Sequence, residues 1–475
     1  MKARATILTM EEIHEIHEST LVVMENTGLI IDSDTVCADL KQLGAVVDKN
    51  HLVKFPKKIV EAAIAKINHQ VLYAARNKDH DFTVPYRDIT FSSTAGYCPF
   101  FYPEPGKPRR RSTAEDLAQV AKLCDALESV DYFWPIIMPT DESRPELEEI
   151  MAFYVAIQNT SKHIEASCSS PGAAKWIVKM AELVAGGKEA LKARPIVSAL
   201  SSPTTPLSLE NNMVEALPIL AKAGIPVVSM DVPLAGTTSP CTFGGSMIVT
   251  NAEQLATLVI LKMYADDAPM VYASDGGSAN MRTGEISYAN PDFDLYSMAC
   301  AQMCRFYNIP GCVSNGGSEI RDFSSETGFN QNIIKSAISL MTLTDLSAWF
   351  GSMDDCMATS FWALTLDDEV LKYAKIYNKE MALDKESLAI DAINTVGPRG
   401  EFMSSDHTFN NFKRDINHVE IKDSFILNTP DGDYVTAAYN KATEILKNHK
   451  ILPLKEEITI ELTNLLTEAR KEFKN

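Results

Sequence analysis

The chain has 475 residues, of which 45% are hydrophobic and 23% are charged, an ordinary balance for a globular enzyme that buries its own core. Its formal net charge of −19 argues against nucleic acid and anionic membranes as partners. Nine cysteines, an odd number with no Cys-x-x-Cys pair, indicate reduced thiols in the cytoplasm rather than a disulfide framework. No signal-peptide pattern and no apolar run of about 20 residues is present, so we expect a cytoplasmic protein without a membrane anchor.

The first predicted element is a helix over residues 9–27. Thr9 can cap it, with Glu12 three residues further on, as in a capping box. Apolar residues recur at helical spacing, at Ile13, Ile16, Leu21 and Met24. A second helix is predicted over residues 57–67. Residues 1–85 are therefore expected to form an α-rich N-terminal extension.

Short apolar or β-branched runs then alternate with helical patterns. The predicted strands are 88–93, 131–137, 163–168, 195–201, 226–231, 270–275, 311–315 and 346–351. The predicted helices are 113–127, 145–159, 209–223, 249–265, 291–307, 324–341 and one near 366–377. Eight such units require parallel pairing through right-handed crossovers, so residues 86–380 are predicted to form a closed (β/α)8 TIM barrel. Helices near 432–447 and 455–473 make residues 381–475 a C-terminal helical segment that packs on the barrel.

Polar and small residues follow nearly every predicted strand, which favours an active site at the carboxyl-terminal mouth of the barrel. Aromatic residues also gather there, notably Tyr97, Trp134, Trp349 and Phe350. Ordinary core packing explains many such rings. The functional alternative is an aromatic cage that holds a quaternary ammonium group by cation–π attraction.

A zinc-thiolate methyltransferase is a rival hypothesis, because Cys168 and Cys312 lie near strand ends and His163 is close in sequence. His163 and Cys168 are five residues apart on one strand, however, so they face opposite sides. We therefore predict no metal site. The basic run Lys107–Arg111 is either a solvated loop or a docking element.

Five stretches of the chain resemble the trimethylamine methyltransferase family, in its branch without pyrrolysine. They are EIHEIHESTLVVMENTGLIID near the start, STAGYCPFFYPEPGKPRRRSTAEDL at 93–117, MRTGE at 281–285, SNGGSEIRDFSSETGFNQ at 314–331 and VGPRGEFMSSDHT at 396–408. The resemblance runs almost end to end, and the order and spacing of these stretches carry it.

In the resembled family, pyrrolysine lies in the loop after the penultimate barrel strand of the members that demethylate trimethylamine. Here Ser318 or Glu319 occupies that approximate place, and the resemblance makes these two the catalytic candidates. Members without pyrrolysine resemble glycine betaine, proline betaine and carnitine methyltransferases. They pass the methyl group to the Co(I) corrinoid of a separate small protein, so this subunit is expected to bind no cofactor itself.

The resemblance therefore implies a quaternary amine substrate, with glycine betaine preferred over carnitine, γ-butyrobetaine and proline betaine. Arg282 and Arg321 follow strand ends and could pair with a betaine carboxylate, or form structural ion pairs. Asp231 and Asp275 could face the cation or cap helices. His407 is a further candidate for the pocket.

Two other functional classes stay open from the sequence. One is the zinc-dependent methyltransferase, which metal analysis would identify. The other is a non-catalytic betaine-binding protein, for which two hinged lobes and an export signal would be typical. The sequence also leaves open whether the chain forms a homo-oligomer.

Overall fold

The structure is a computed structural model that describes residues 4–86, 89–142, 144–284, 286, 288, 290–313, 326–375, 382–416, 429 and 433–473. Within two of these ranges, at residues 326–333 and 373, only the backbone is described. No helix in these ranges is both long and apolar enough to cross a membrane.

The N-terminal region combines helices with short strands. Its helices are α1 (Met10–Asn26), α2 (Asp34–Leu43) and α3 (Lys57–Ile64). Its strands are β1 (Leu29–Ile31), β2 (Val46–Val47), β3 (Leu52–Lys54), β4 (Val71–Tyr73) and β5 (Phe82–Val84), with a 3₁₀ turn at Lys78–His80. Thr9 and Glu12 form the expected capping box, the Glu12 carboxylate accepting from the Thr9 backbone N–H at 2.7 Å. The sequence did not predict these strands, because a run of two or three residues is too short to show an alternation of apolar and polar residues.

Eight parallel strands close into a barrel, which confirms the predicted fold class. In chain order they are β6 (Phe91–Thr94), β9 (Tyr132–Phe133), β10 (His163–Ser167), β11 (Val197–Ser201), β13 (Val227–Asp231), β15 (Met270–Ser274), β17 (Gly311–Val313) and β18 (Leu346–Phe350). Each overlaps one of the eight predicted runs. Strand β6 pairs with both β18 and β9, and this pairing closes the circle.

Helices surround the barrel. They are α4 (Ala114–Ala126), α5 (Pro145–Asn159), α6 (Pro171–Ala185), α7 (Lys188–Ala193), α8 (Asn211–Ala223), α9 (Phe243–Tyr264), α10 (Pro291–Tyr307), α11 (Glu326–Thr342) and α12 (Phe361–Ala374). The outward residues of the strands and the inner faces of these helices form one continuous buried layer, which we call the outer layer. A second, smaller cluster of buried side chains fills the barrel itself.

The β4–β5 hairpin closes the amino-terminal end of the barrel. Tyr73 and Phe82 insert into the barrel cluster, and Tyr73 is fully buried. The Phe82 ring stacks on Phe91 at a centroid distance of 4.1 Å, and Tyr73 lies 4.4 Å from the ring of His163. This end of the barrel is therefore packed with aromatic side chains.

Short strands lie at the opposite, carboxyl-terminal end of the barrel. They are β7 (Phe100–Tyr102), β8 (Arg110–Arg111), β12 (Ser208–Leu209), β14 (Leu234–Ala235), β16 (Gly277–Ser278) and β19 (Ala358–Ser360). Strand β7 joins β8 and β19 in one small sheet. Within the basic run, Arg109 lies over the Phe100 ring at 4.3 Å and pairs with Asp354, and Arg110 pairs with Asp116 at 2.6 Å. These two arginines thus have structural partners.

The last helices are α13 (Ile390–Val396), α14 (Asp406–Asp415), α15 (Tyr434–Asn448) and α16 (Glu456–Glu472). Helix α15 packs against α12 and α4, and α16 packs against α5 and α6. Leu462 and Leu466 of α16 belong to the outer layer. The domain boundaries at residues 85 and 380 stay predictions.

Candidate active site

Both small and larger side chains line the upper part of the barrel. Alternate strand residues point inward, and near the mouth the small ones are Ser93, Ser167, Ala273, Cys312 and Ala348. Leu200 and Met230 lie at the same levels, Leu200 opposite Ser167 and Met230 opposite Ala273. Because ligands of TIM barrels bind at the carboxyl-terminal mouth, these residues mark the candidate site.

Trp134 is the large aromatic residue inside this space. It belongs to the barrel cluster and is 8% exposed. The Ser93 hydroxyl accepts a hydrogen bond from its backbone N–H at 3.0 Å, and the Thr94 hydroxyl donates to its carbonyl. Gly96 makes room for the ring, since a Cβ there would lie 2.7 Å from Cζ2 of Trp134. The indole Nε1–H has no protein hydrogen-bond partner among the described residues.

Tyr97 follows Gly96 and lies beside Ser167 and Cys168 at the same end of the barrel. Burial raises the pKa of its phenol well above the usual value, so the group keeps its proton. Of the four proposed cage residues, Trp134 therefore lies in the barrel cluster, while Tyr97 packs against the outer layer beside the end of β10.

A second group of candidate residues, which we call the rim, consists of the carboxyl groups of Asp275 and Asp355 and the side chain of Tyr288. Asp275 directly follows β15, and its backbone N–H donates to the Asp231 carbonyl at 2.9 Å. Burial, and then the nearby Asp275, Cys356 and Asp355, raise the pKa of Tyr288 well above its usual value. The Tyr288 hydroxyl therefore lies close to two carboxyl groups. Carboxyl groups near an aromatic side chain suit a cation.

Three consecutive residues, with Asp355 of the rim in the middle, adopt left-handed backbone conformations. The φ angles are 56° at Asp354, 54° at Asp355 and 63° at Cys356. Each costs a residue other than glycine about 1–2 kcal/mol. The Asp354 carboxylate anchors the segment by accepting from the Tyr102 hydroxyl at 3.1 Å and pairing with Arg109. Strain held in place by surrounding contacts is typical of functional sites.

Glu165 lies deeper in the barrel, on an inward position of β10. It is fully buried, and neither carboxyl oxygen has a hydrogen-bond partner among the described residues. Burial raises its pKa to about 8, so the group is mainly a neutral carboxylic acid at pH 7.

The Ser198 hydroxyl lies beside Glu165 but donates its hydrogen to His163. The Nδ1 atom of His163 donates to the Ala74 carbonyl at 2.8 Å, so Nε2 accepts the Ser198 hydroxyl hydrogen at 3.0 Å. Burial lowers the pKa of His163 to about 4, which keeps the imidazole neutral. The one hydrogen of Ser198 is therefore directed away from Glu165.

Two proposed cage residues lie elsewhere. Trp349 and Phe350 belong to the outer layer, where their ring centroids are 4.8 Å apart. Strand β18 has a register shift between Ala348, which lies opposite Ser93, and Phe350, which lies opposite Thr94, so Trp349 is an extra residue between them. The bulge therefore changes the alternation of side chains just before the strand ends.

Two further candidates also lie outside the barrel interior. Arg282 is exposed in a turn, where its backbone N–H donates to the Asn280 side chain at 3.0 Å. Asp231 is fully buried but lies on the outward face of β13, beside Glu253 of α9. His407 is half-buried on α14, and its Nε2 atom is buried without a hydrogen-bond partner among the described residues. Ser318, Glu319 and Arg321 lie outside the described residues.

Glu165 and Tyr288 were not among the candidates predicted from the sequence. A signal for Glu165 existed, because a carboxylate interrupts the strand run HIEASC at an inward position. Tyr288 lies within the loop between β15 and α10, which has no regular spacing, so its approach to Asp275 is a property of the folded loop alone.

The described residues hold no group of three or more histidine, cysteine, aspartate or glutamate side chains arranged to bind a metal ion. Cys168 and Cys312 are both buried free thiols. Burial raises the pKa of each well above the usual thiol value. A protonated thiol is a poor metal ligand.

Comparison with known proteins agrees with this architecture. The family model for trimethylamine methyltransferase (MTTB) matches residues 2–473. A trimethylamine methyltransferase MttB from Desulfitobacterium hafniense is 28% identical, covering 98% of this chain and 94% of that protein. A glycine betaine methyltransferase from the same species is 26% identical, covering 98% and 97%.

A solved structure supports the fold. The Methanosarcina barkeri monomethylamine methyltransferase (MtmB) matches with a TM-score of 0.50 at 11% identity, covering 95% of this chain and 96% of that one. Since the family model spans nearly the whole chain, this protein is a methyltransferase that belongs to the trimethylamine methyltransferase (MTTB) family.

Proposed function

We propose that this enzyme moves a methyl group from a quaternary amine, with glycine betaine the leading substrate, to the Co(I) corrinoid of a separate partner protein. The observation that carries the proposal is the barrel mouth, where Trp134 lies in the barrel cluster, Tyr97 lies beside Ser167, and the Tyr288 hydroxyl lies near the carboxyl groups of Asp275 and Asp355. The names of two relatives, a trimethylamine and a glycine betaine methyltransferase, support the methyl transfer and the substrate class.

The chemistry suits a site of this composition. A quaternary nitrogen is already cationic, so the N–CH₃ bond can break with both electrons staying on nitrogen, and a neutral tertiary amine leaves. The methyl group forms its new bond with the electron pair of the acceptor. The reduced corrinoid of the partner supplies that nucleophile. The enzyme's own task is to hold the cation, exclude water and point one methyl group outward.

The residues at the mouth can perform that task without an acid. The aromatic faces attract a cation that has no N–H to donate, and Asp275 adds negative charge beside Tyr288. Trimethylamine lacks the built-in leaving group of a quaternary amine. We therefore propose Ser318 and Glu319 as residues that complete the site rather than activate a tertiary amine.

The location and the partner are also part of this proposal. We place the enzyme in the cytoplasm, since all nine cysteines are free thiols. The corrinoid is assigned to a separate partner protein, as the family resemblance of the sequence implies. The net charge of −19 argues against nucleic acid as a partner.

The test mixes the enzyme with a corrinoid protein reduced to Co(I) and with each amine in turn, and follows the loss of the Co(I) absorbance. We expect turnover with glycine betaine and formation of dimethylglycine, with no comparable turnover of trimethylamine. Turnover of carnitine or proline betaine alone would correct the substrate and keep the reaction class. Equal rates with trimethylamine would contradict the proposal.

A further inference from the structure

The barrel interior contains three buried side chains whose polar atoms have no protein hydrogen-bond partner among the described residues. They are the Glu165 carboxyl group, the Trp134 indole N–H and the Tyr73 hydroxyl. Buried polar groups in proteins are nearly always paired, and three orphans in one enclosed space therefore indicate a ligand position. Tyr73 and Trp134 belong to the same barrel cluster.

The three groups surround one level of the barrel. His163 pairs with Tyr132 and Ile164 with Phe133, so Glu165 and Trp134 occupy the next inward level on adjacent strands. Tyr73 reaches the same region from the closing hairpin, 5.6 Å from the Tyr132 ring between centroids. Toward the mouth, the next inward positions are held by Ser167 and Ala273 together with Leu200 and Met230.

The direction of methyl transfer fixes how a betaine must lie in this space. The transferred methyl group faces the partner at the mouth, and its nitrogen lies behind it. The carboxylate-bearing arm of glycine betaine is then directed inward, toward Glu165. The exposed Arg282 lies outside this interior, so it offers no counter-charge there.

We propose that Glu165, as a neutral carboxylic acid, donates a hydrogen bond to the carboxylate of the bound betaine and so selects carboxylated quaternary amines. The inference rests on the proposed function and deepens it. The O–H of a carboxylic acid donated to a carboxylate forms a short, charge-assisted hydrogen bond. The Trp134 indole N–H and the Tyr73 hydroxyl are two further buried donors near this level of the barrel.

The surroundings of Glu165 keep it protonated. The titratable groups that face it are Tyr73 from the hairpin, Tyr132 from β9, Cys312 from β17 and His163 from its own strand. Burial raises the pKa of each of the first three well above its usual value, and His163 is neutral. None of these four carries charge at pH 7, so no cation stabilises an ionised Glu165 from those directions.

The direction in which betaine affinity changes with pH follows from the charge on Glu165. Once the pH exceeds about 8, Glu165 of the free enzyme ionises and repels the substrate carboxylate. Betaine must then bind together with a proton, and its affinity falls by up to about tenfold for each further pH unit. The affinity for a quaternary amine without a carboxylate should instead hold or rise with pH, because an ionised Glu165 attracts the cation.

The experiment is calorimetric titration of the whole enzyme with glycine betaine and with tetramethylammonium, between about pH 6.5 and about pH 9.5. We expect betaine affinity to fall above about pH 8 and tetramethylammonium affinity to hold or rise. E165Q keeps a hydrogen-bond donor and should make betaine affinity independent of pH. D131N is the matched control, since Asp131 is another barrel carboxyl group with a pKa raised by burial, at the opposite end.

A second measurement needs no variant. Betaine binding at about pH 9 should take up a proton, visible as different binding enthalpies in two buffers of different ionisation enthalpy. A pH-independent betaine affinity in the unmodified enzyme, or the same pH dependence in E165Q, would overturn the role of Glu165. Absence of binding by both amines would instead overturn the proposed function, and the inference with it.

Discussion

Trp134 and Trp349 illustrate how two similar residues acquire different roles. Both lie within predicted strand runs, and both are buried, at 8% and 3% exposure. Trp134 lies in the barrel cluster with an unpartnered N–H, whereas Trp349 packs in the outer layer against Phe350. Only the first presents a polar atom and a ring to the interior.

We expect W134L to weaken glycine betaine binding by about 1–2 kcal/mol, the value of one desolvated cation–π contact. In affinity this is roughly a five- to thirtyfold loss. Leucine keeps an apolar group beside Gly96 but removes both the π face and the indole donor. Calorimetric titration at a constant pH near 7 measures the change.

W349L is the companion variant. It should lower the midpoint of thermal unfolding, because a large side chain leaves the outer layer, while betaine affinity stays within about twofold. If the two variants lost affinity equally, the cage would include Trp349 and its assignment to the outer layer alone would be wrong.

The sequence predicted the aromatic residues of the mouth but not which way they face. Since Leu346 and Ala348 face inward, strand alternation alone would also direct Phe350 inward, and the register shift after Ala348 breaks that alternation. The rim formed by Tyr288 and Asp355 depends on two loops that meet only after folding. Local patterns carry no information on such a meeting.

At the scale of elements, a pair of buried carboxyl groups joins β13 to α9. Asp231 and Glu253 are both fully buried. The Glu253 carboxylate accepts from the Leu207 backbone N–H at 2.6 Å and the Thr205 hydroxyl at 2.8 Å, and so holds the loop after β11. Burial raises the pKa of Asp231 to about 6, and burial with the neighbouring Asp231 raises that of Glu253 to about 8.

This pair should make the fold less stable as the pH rises. Between about pH 6 and about pH 8 the folded protein holds protons at this pair that the unfolded chain, with carboxyl pKa values near 4, has already lost. Unfolding therefore releases protons, and its free energy falls with rising pH. The slope is at most about 1.4 kcal/mol per pH unit for each proton released.

Urea unfolding at about pH 6 and about pH 8 tests this, with E253Q as the variant. Glutamine keeps an acceptor for the Leu207 N–H and cannot ionise, so the variant should lose less stability across this range than the unmodified enzyme. Glu165 contributes a slope of the same sign in both proteins and cancels from the comparison. An unchanged pH dependence in E253Q would show that the pair is not the cause.

Helices and strands with a clear hydrophobic pattern were predictable from the sequence, and strands of only two or three residues were not. All eight barrel strands overlap the predicted runs, since parallel strands buried on both faces appear as near-continuous apolar segments. Strand β9 is shorter than its predicted run of 131–137, because its later residues leave the ladder at the mouth. The two-residue strands β2 and β8 lie below the length at which alternation is visible.

At the scale of the molecule, the barrel is closed at one end and built for access at the other. The β4–β5 hairpin fills the amino-terminal end with Tyr73 and Phe82, while the rim residues and the small sheet of β7, β8 and β19 surround the mouth. Helices α15 and α16 brace the outside through α4, α5, α6 and α12. Under the proposed function, substrate and acceptor would therefore approach from the same side.

The closed hairpin end has a kinetic consequence under the proposed function. If the amine enters by the mouth and the corrinoid protein covers that mouth, the amine binds first and its demethylated product leaves last. A partner molecule that docks on the empty enzyme blocks entry. We therefore expect high partner concentrations to inhibit initial rates, and high glycine betaine to relieve that inhibition. Rates that saturate in the partner without any inhibition would instead indicate a second route into the barrel.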